Sequence, residues 1–501
     1  MTVHLTGNFE IKGNGMMIVP VAASTLEAQL GAAVALSGIS LAQLSRDFQG
    51  KAGEKLMFYP ASADGFSGQF ILAGLGETAD PQPLRQAVRE AVQARPEIAS
   101  VWVDLRLLLP ENRPEQLTAL VSAAVEGCLL GDYRVGRFKT ADPGKAEAGE
   151  RQFTLLVDAS QLSTARIAAR RGEVLAGAQR RVMDLVNAPS NQKTPEMLGD
   201  IARTLGKSCG FSTTRLSREA METLGLGGLL AVNQGSTLPP AFIIMEYRPK
   251  GKSAQNLPHV GLVGKGVTFD TGGISLKPSE NLQYLKSDMA GGAVVIATME
   301  AAARLSLPLQ LTGIVPATDN MPDGAALNPG DVIHTYSGQT VEVIDTDAEG
   351  RLILADGLAY LKKHFDPEIM IDLATLTGAA VISLGSEAAA LFSNSDALAG
   401  SLAVAGEHSG ERVWRLPLFD GYSKAIDSAI ADVKNYGGKA AGAATAAKFL
   451  EKFIDNHPAW AHLDIAGMVL AEGGGAPGRV ATGYGVRLLT VYLEGLGGKK
   501  V

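Results

Sequence analysis

From Asn187 onward, short apolar runs alternate with longer helix-like stretches, and this alternation constrains the fold more than any other feature of the sequence. The runs are Phe242 to Met245, Val260 to Val263, Gln310 to Val315, Ile369 to Leu373, Ala388 to Phe392 and Ala461 to Ile465. Strands of this kind separated by helices need crossover connections, which implies a mainly parallel sheet covered on both faces. Before about residue 160 the texture differs: Gln69 to Ala73 and Val101 to Leu109 are interleaved with helix-like Pro83 to Arg95 and Pro114 to Leu129. Polar residues from Phe138 to Gln152, including Pro143, Gly144 and Gly149, read as an exposed boundary. Ser163 to Val186 reads as a helix with Ser163 as N-cap and Pro189 as the stop. The expected organisation is α/β throughout: a smaller N-terminal α/β domain over 1–160, a linker helix over 161–190, and a larger C-terminal domain over 191–501 with a mainly parallel central sheet covered by helices.

Two segments of the larger domain concentrate charge where turns should lie. Asp347 and Glu349 fall between an apolar run, Val341 to Ile344, and a helix-like run, Leu352 to Leu358, the place where a parallel sheet presents its carboxyl edge. Upstream, Lys265 and Asp270 follow the run Val260 to Val263 at once. Alone, a string of alternate charges is usually a solvated edge. Four carboxylates, Asp270, Asp288, Asp347 and Glu349, delivered to one cleft would repel one another unless cations or basic partners lie among them, and a pair of dications about 3.5–4 Å apart needs shared carboxylates. Gly272-Gly273 and Gly291-Gly292 flank these acids and suit close backbone approach, whereas Gly473 to Gly475 reads as a flexible loop.

Other chemistries find little support. There is no Gly-x-Ser-x-Gly elbow and no His-Glu-x-x-His, and Gly264-Lys265-Gly266 is too short for a phosphate loop. The 7 histidines are dispersed, and His462 reads as a hydrogen-bonded core residue. With 45 basic against 52 acidic side chains the net charge is −7, which argues against general affinity for nucleic acid or anionic membrane. Cys128 and Cys209 are far apart and fit no disulfide framework, so a reducing, cytoplasmic setting is expected. Met1 to Val21 has no secretory pattern, and the longest apolar tract, Ile369 to Leu384, is broken by Asp372, so no membrane span is expected.

The charged residues are similar, position by position, to the metal-site pattern of the M17 leucyl aminopeptidases, the cytosolic dinuclear-metal aminopeptidases. Lys265, Asp270, Lys277 and Asp288 match it, then Asp347, Glu349 and Arg351 after a gap of 59 positions (347 − 288). Further family-like strings are Asn187-Ala-Pro-Ser-Asn191, Asn328-Pro-Gly-Asp-Val332, Ala374-Thr-Leu-Thr-Gly-Ala379 and His462-Leu-Asp-Ile-Ala-Gly467, so the resemblance runs from Asn187 to the C-terminus.

The resemblance implies that Asp270 and Glu349 bridge two divalent ions, zinc or manganese, with magnesium or cobalt as further candidates. It implies that Asp288 and a neutral Lys265 complete one ion and Asp347 the other. Lys277, kept charged, would stabilise an oxyanion. Arg351, which has no proton to take, would hold a bicarbonate ion as proton shuttle. Leu285 and the stretch Thr375, Leu376 and Gly378 would border the pocket for an apolar first side chain. A homohexamer acting on peptides is implied as well. Asp345 stands where the family usually has asparagine, and either adds negative charge near the metals or pairs with a local lysine.

Two other readings stay open on the sequence. A dinuclear phosphatase needs the same acids. A nucleic-acid-binding regulatory role could fall to the N-terminal domain and the basic helix, where Arg166, Arg170, Arg171, Arg180 and Arg181 face only Glu173 and Asp184.

Overall fold

The computed structural model describes residues 2–7, 13–60, 66, 68–109, 113–135, 138, 140, 150–251, 257–473 and 478–498. Two compact units divide the chain, Met1–Arg180 and Arg181–Val501, and the division falls inside the helix Leu162–Asn187.

The first unit is built on six strands: β1 (Val3–Thr6), β2 (Met16–Ala22), β3 (Lys55–Phe58), β4 (Gln69–Gly76), β5 (Ser100–Asp104) and β6 (Gln152–Leu156). Their spatial order is β1-β6-β5-β2-β4-β3, parallel except where β3 pairs with β4. The helix Pro81–Ala94 starts on a proline, which needs no amide partner there, and buries Leu84, Ala87, Val88, Ala91 and Val92, a stripe at helical spacing. Three details depart from the sequence reading. The run from Val101 does not continue to Leu109: the strand stops at Asp104, whose carboxylate takes Arg106 at 2.7 Å as the chain turns. Ser163 is not an N-cap, because the helix Leu162–Asn187 continues directly from a 3-10 turn over Ala159–Gln161. Most of the expected boundary between Phe138 and Gln152 lies outside the described residues.

The second unit carries the expected sheet. Its strands are β7 (Ser212–Leu216), β8 (Ala241–Tyr247), β9 (His259–Gly264), β10 (Gly266–Asp270), β11 (Gln310–Asn320), β14 (Ile369–Ala374), β15 (Ala389–Ser393), β16 (Val413–Arg415) and β18 (Trp460–Asp464), with β12 (Val332–His334), β13 (Thr340–Glu342) and β17 (Val433–Lys434) in a separate small sheet. The order is β16-β15-β18-β14-β9-β11-β8-β7, with β10 beside β11. The centre, β18-β14-β9-β11, is parallel throughout. Antiparallel pairs appear only further out, at β11 with β8, β8 with β7 and β15 with β18. The sheet is therefore mixed, with a parallel core.

Helices cover both faces. Val263 packs in a cluster with Leu352, Leu358 and Leu361 of the helix Gly350–Phe365. The next residue, Gly264, points the other way, as neighbours on a strand must, and lies against Gly291 and Gly292 of the helix Ala290–Arg304. At Gly291 the fit leaves no room: a Cβ there would stand 2.1 Å from the Leu373 carbonyl oxygen. The Gly291-Gly292 pair thus serves helix-to-sheet packing. The expected strand before Asp347 is corrected too. It shrinks to Thr340–Glu342, which pairs with β12 and β17, so the Asp347 segment rises from the small sheet and not from the carboxyl edge of the large one.

Replacing Gly291 with Ala should push the Ala290–Arg304 helix off the sheet and cost about 1–3 kcal/mol. Urea unfolding would register the loss, and unchanged stability would mean the contact is looser than described.

Candidate metal centre

Parallel strands end together, and this brings chemistry to one edge. Lys265 follows β9, Asp270 closes β10, Asn320 closes β11, Thr375 follows β14 and Asp464 closes β18. Asp288 precedes the helix Ala290–Arg304, and Glu349 precedes the helix Gly350–Phe365. The close approach is again permitted by a glycine: a Cβ on Gly350 would lie 2.6 Å from Lys265 Cε.

The acids and lysines interlock. Lys265 Nζ stands 2.7 Å from Asp288 Oδ2 and 2.8 Å from Glu349 Oε1, and donates to the Thr375 carbonyl at 3.1 Å. Lys277 Nζ stands 2.8 Å from Asp270 Oδ2 and also contacts Asp347 Oδ1. Lys265 therefore does not pair directly with Asp270, its near neighbour in sequence. Burial works against the Lys265 ammonium, but Asp288, Glu349 and Asp270 together outweigh it and hold the group above the ordinary lysine range. The same balance, burial against Asp270, Glu349 and Asp347, raises Lys277. Burial and then the neighbouring carboxylates push Asp288 well up, raise Glu349, and lift Asp347 to about 7.

Four carboxylates against two ammonium groups leave two negative charges uncompensated (4 − 2). Oxygens of Asp270, Asp347 and Glu349 all lie within 4.8 Å of one another. Glu349 is 1% exposed, and its Oε2 makes no hydrogen bond among the described residues. Asp288 Oδ2, Asp347 Oδ1 and Glu349 Oε1 touch lysine nitrogens at ion-pair distance but also lack a hydrogen bond. Buried carboxylate oxygens with unspent lone pairs, close enough to share a centre, are the donor set that hard or borderline dications take.

Backbone and amide groups fix this geometry, and the sequence reading missed them. Asp270 Oδ1 accepts from Gly272 N and from Asn320 Nδ2, both at 2.9 Å, while Asn320 Nδ2 also reaches the Thr346 carbonyl at 3.1 Å. Thr346 Oγ1 donates to Gly272 O at 2.7 Å and accepts from Ser275 N at 2.8 Å. Asn435 Oδ1 accepts from Ile344 N, and its Nδ2 donates to Asp345 O at 2.6 Å. The Asp345 carboxylate closes a local turn, accepting from Asp347 N at 2.9 Å. The residue-type signals were present, an amide at a strand end and one beside Gly437-Gly438, but no spacing rule singles them out.

The remaining expected residues separate. Arg351 is buried; its Nη1 donates to Asn435 O at 2.7 Å and its Nε has no partner, while burial lowers its affinity for its proton. Thr375 Oγ1 donates to Asp288 Oδ1 at 2.7 Å. Leu285 is half-buried on the turn that leads into Asp288. Leu376 packs against the core while its amide donates to Asp464 Oδ1 at 3.1 Å. Gly378 opens a short helix at an exposed position, with free space where a side chain would be. His462 is fully buried, with Nδ1 2.6 Å from Asp372 Oδ1, as a core histidine should be. Of the basic helix's arginines, Arg171 bonds Ser122, Arg180 bonds the Leu129 carbonyl and Arg181 pairs with Glu300 at 2.5 Å, while Arg166 and Arg170 are exposed. No helix among the described residues is long and apolar enough to cross a membrane.

A parallel-cored α/β unit with a carboxylate–lysine cluster at its strand ends defines a class of protein with a candidate divalent-metal site. Comparison with known proteins gives the particular family. Residues 180–490 match the catalytic domain of the cytosol aminopeptidase family and residues 18–142 its N-terminal domain. The chain is 48% identical over 458 residues to a probable cytosol aminopeptidase of Chlorobium phaeobacteroides, covering 90% of each, and 46% identical over 493 residues to one of Chlorobaculum tepidum, covering 94% of this chain and 95% of that one. Among solved structures it is similar to the bottromycin maturation enzyme BotP in complex with Mn (TM-score 0.83, 32% identity, 96% of this chain and 99% of that one) and to a tomato leucine aminopeptidase mutant (TM-score 0.84, 29% identity, 99% and 96%). The chain belongs to the cytosol aminopeptidase family, whose members are metal-dependent exopeptidases with dinuclear centres. Neither the phosphatase nor the nucleic-acid reading finds support in these comparisons.

With Asp347 lifted to about 7, protons would compete with any metal ion that the cluster takes up. Below pH 7 the carboxyl is protonated and each proton must leave before an ion binds. Affinity of the metal-depleted protein for Mn²⁺ should therefore climb with pH, by about tenfold per pH unit for each displaced proton, and the climb should become less steep near pH 7, where Asp347 has lost its own proton. Calorimetric titration across pH 5.5–8.5 measures this, and a flat profile would remove Asp347 from the ligand set.

Proposed function

We propose that this enzyme removes the N-terminal residue from peptides, preferring apolar side chains such as leucine, with two dications held by Asp270, Asp288, Asp347, Glu349 and Lys265. The carrying observation is the cluster of Asp270, Asp347 and Glu349 oxygens within 4.8 Å, with Glu349 Oε2 buried and unbonded, in a chain of this family. Zinc and manganese suit the donor set best, with magnesium and cobalt as alternatives, and the structurally similar BotP was solved in complex with Mn. When bound, the two ions would supply Lewis acidity toward the scissile carbonyl and lower the pKa of a coordinated water.

The chain's own groups do the rest. Lys265, 4% exposed at its side chain, is kept an ammonium by the carboxylates around it and would have to shed that proton to serve as a ligand once ions replace it as the acids' counter-charge, whereas Lys277 at 21% can reach substrate and donates to the developing oxyanion. Asp347, the most open of the four acids at 33%, lies where a substrate's amino terminus enters. Arg351 cannot take a proton, but its buried fork, with Nε unbonded, has the donor to hold a bicarbonate ion as shuttle. The half-buried apolar side chains of Leu285 and Leu376, with Thr375 and the open Gly378, border the first side chain. Cytoplasmic action is supported by the relatives' name, and self-association, with a homohexamer as the assembly proposed, by large apolar side chains left exposed on the catalytic unit: Ile382 at 89%, Phe419 at 68% and Trp414 at 64%.

Leucine anilide should be cleaved only with metal present, and its N-acetylated counterpart should be inert, because acetylation deletes the amine's lone pair. Equal rates on both would require an endopeptidase or amidase. Lys277→Met should cut kcat by about 10²–10³ with metal content intact. Loss of metal in that variant would exchange the roles of Lys265 and Lys277.

A further inference from the structure

The segment after Asn187-Ala-Pro-Ser-Asn191 takes no part in the chemistry derived above, yet it buries a lysine. Lys193 is 1% exposed, and no carboxylate pairs with it among the described residues. Its Nζ donates instead to two carbonyls, Leu185 O at 2.8 Å and Lys286 O at 2.5 Å. The first belongs to the last turn of the helix Leu162–Asn187, where carbonyls have no partner within the helix. The second belongs to the 3-10 turn Leu282–Ser287, which carries Leu285 and leads straight into Asp288. The join is doubled from the other side: Lys286 Nζ donates to Asn187 O at 2.9 Å. Asn187 Oδ1 in turn accepts from Ala481 N at 3.0 Å.

Asp288 is thus placed differently from the other acids. Asp270 ends a strand of the sheet, and Glu349 starts a helix packed on it, but Asp288 follows a turn outside both sheets. Burying an amine without a counter-charge is costly, and burial brings Lys193 down to about 7. The amine serves either way, since a neutral one still has two N–H donors for its two carbonyls.

We infer that Lys193 is a positioning residue of the metal centre: by joining the Leu185 and Lys286 carbonyls it fixes the turn that sets Asp288, and so tunes the affinity of the one ion that Asp288 holds. This rests on the reading of Asp288 as a ligand given above.

The test titrates the metal-depleted, full-length protein with Mn²⁺ by calorimetry, following melting temperature alongside. In Lys193→Met one of the two affinities should fall by about 10–100-fold, the range for residues that orient metal ligands, and the other should stay at the wild-type value. Lys286→Met, which removes the reciprocal donor from a half-buried position, should weaken the same site to a smaller extent, and carries the test alone if Lys193→Met does not fold. A lower melting temperature with both Mn²⁺ affinities unchanged would mean a merely structural lysine and would overturn the proposal. Asp288→Asn separates the two layers. If it keeps both ions, the ligand reading fails and the proposal falls with it; if it loses one ion while the lysine variants lose none, the positioning role alone is overturned.

Discussion

Mutual repulsion among four clustered carboxylates, three of them buried, is the constraint on which the second unit depends. Asp270, Asp288 and Glu349 are each nearly inaccessible, and taking such groups out of water without compensation is among the costliest things a fold can do. Lys265 and Lys277 supply part of the answer by each spanning two acids. Position supplies more. Glu349 stands at the start of the helix Gly350–Phe365, where free amide dipoles favour negative charge. What remains is a residual negative charge in a site too tight for bulk water to relieve, and a cation is the economical solution.

The means of holding the acids apart are uncharged. Asn320 grips Asp270 and the Thr346 carbonyl, and Asn435 grips the backbone on either side of Asp347. The NH₂ of an amide carries two donors and no charge, so Asn320 ties a carboxylate to a carbonyl without adding charge to a site already crowded with it. A lysine or arginine in the same place would compete with the bound ion. The division of labour is therefore chemical: charged side chains face the reacting space, and amides, hydroxyls and glycines brace them from behind.

Much of this architecture was legible because strands buried on both faces, parallel or not, read as continuous apolar runs, and β8, β9, β14, β15 and β18 all fall within a residue or two of theirs. The far half of β11 was not, because Pro316 and the polar Thr318 to Asn320 end the apolar pattern while the hydrogen-bonded pairing goes on to Asn320. The Val341 run misled for the opposite reason: three residues suffice for a small sheet, and a short apolar run does not say which sheet it joins. Within the site, the charged residues were found through a family pattern, since Asp-x-Glu-x-Arg carries little weight by spacing. The pairing of lysines with acids was beyond either approach. Lys265 bypasses the acid five places on for one 23 places on (288 − 265), a choice made by where the strands end.

Asn435 has a consequence for how the enzyme comes into being. Its amide spans the loop that carries Asp347 and Glu349, though it is encoded 86 positions after Glu349 (435 − 349), and its carbonyl is the acceptor for Arg351. A nascent chain that has emerged only as far as the acids therefore lacks the clamp that gives them their shape. The shape of the acid-bearing loop is thus completed by a residue from the last quarter of the chain, and the site is a property of the finished domain.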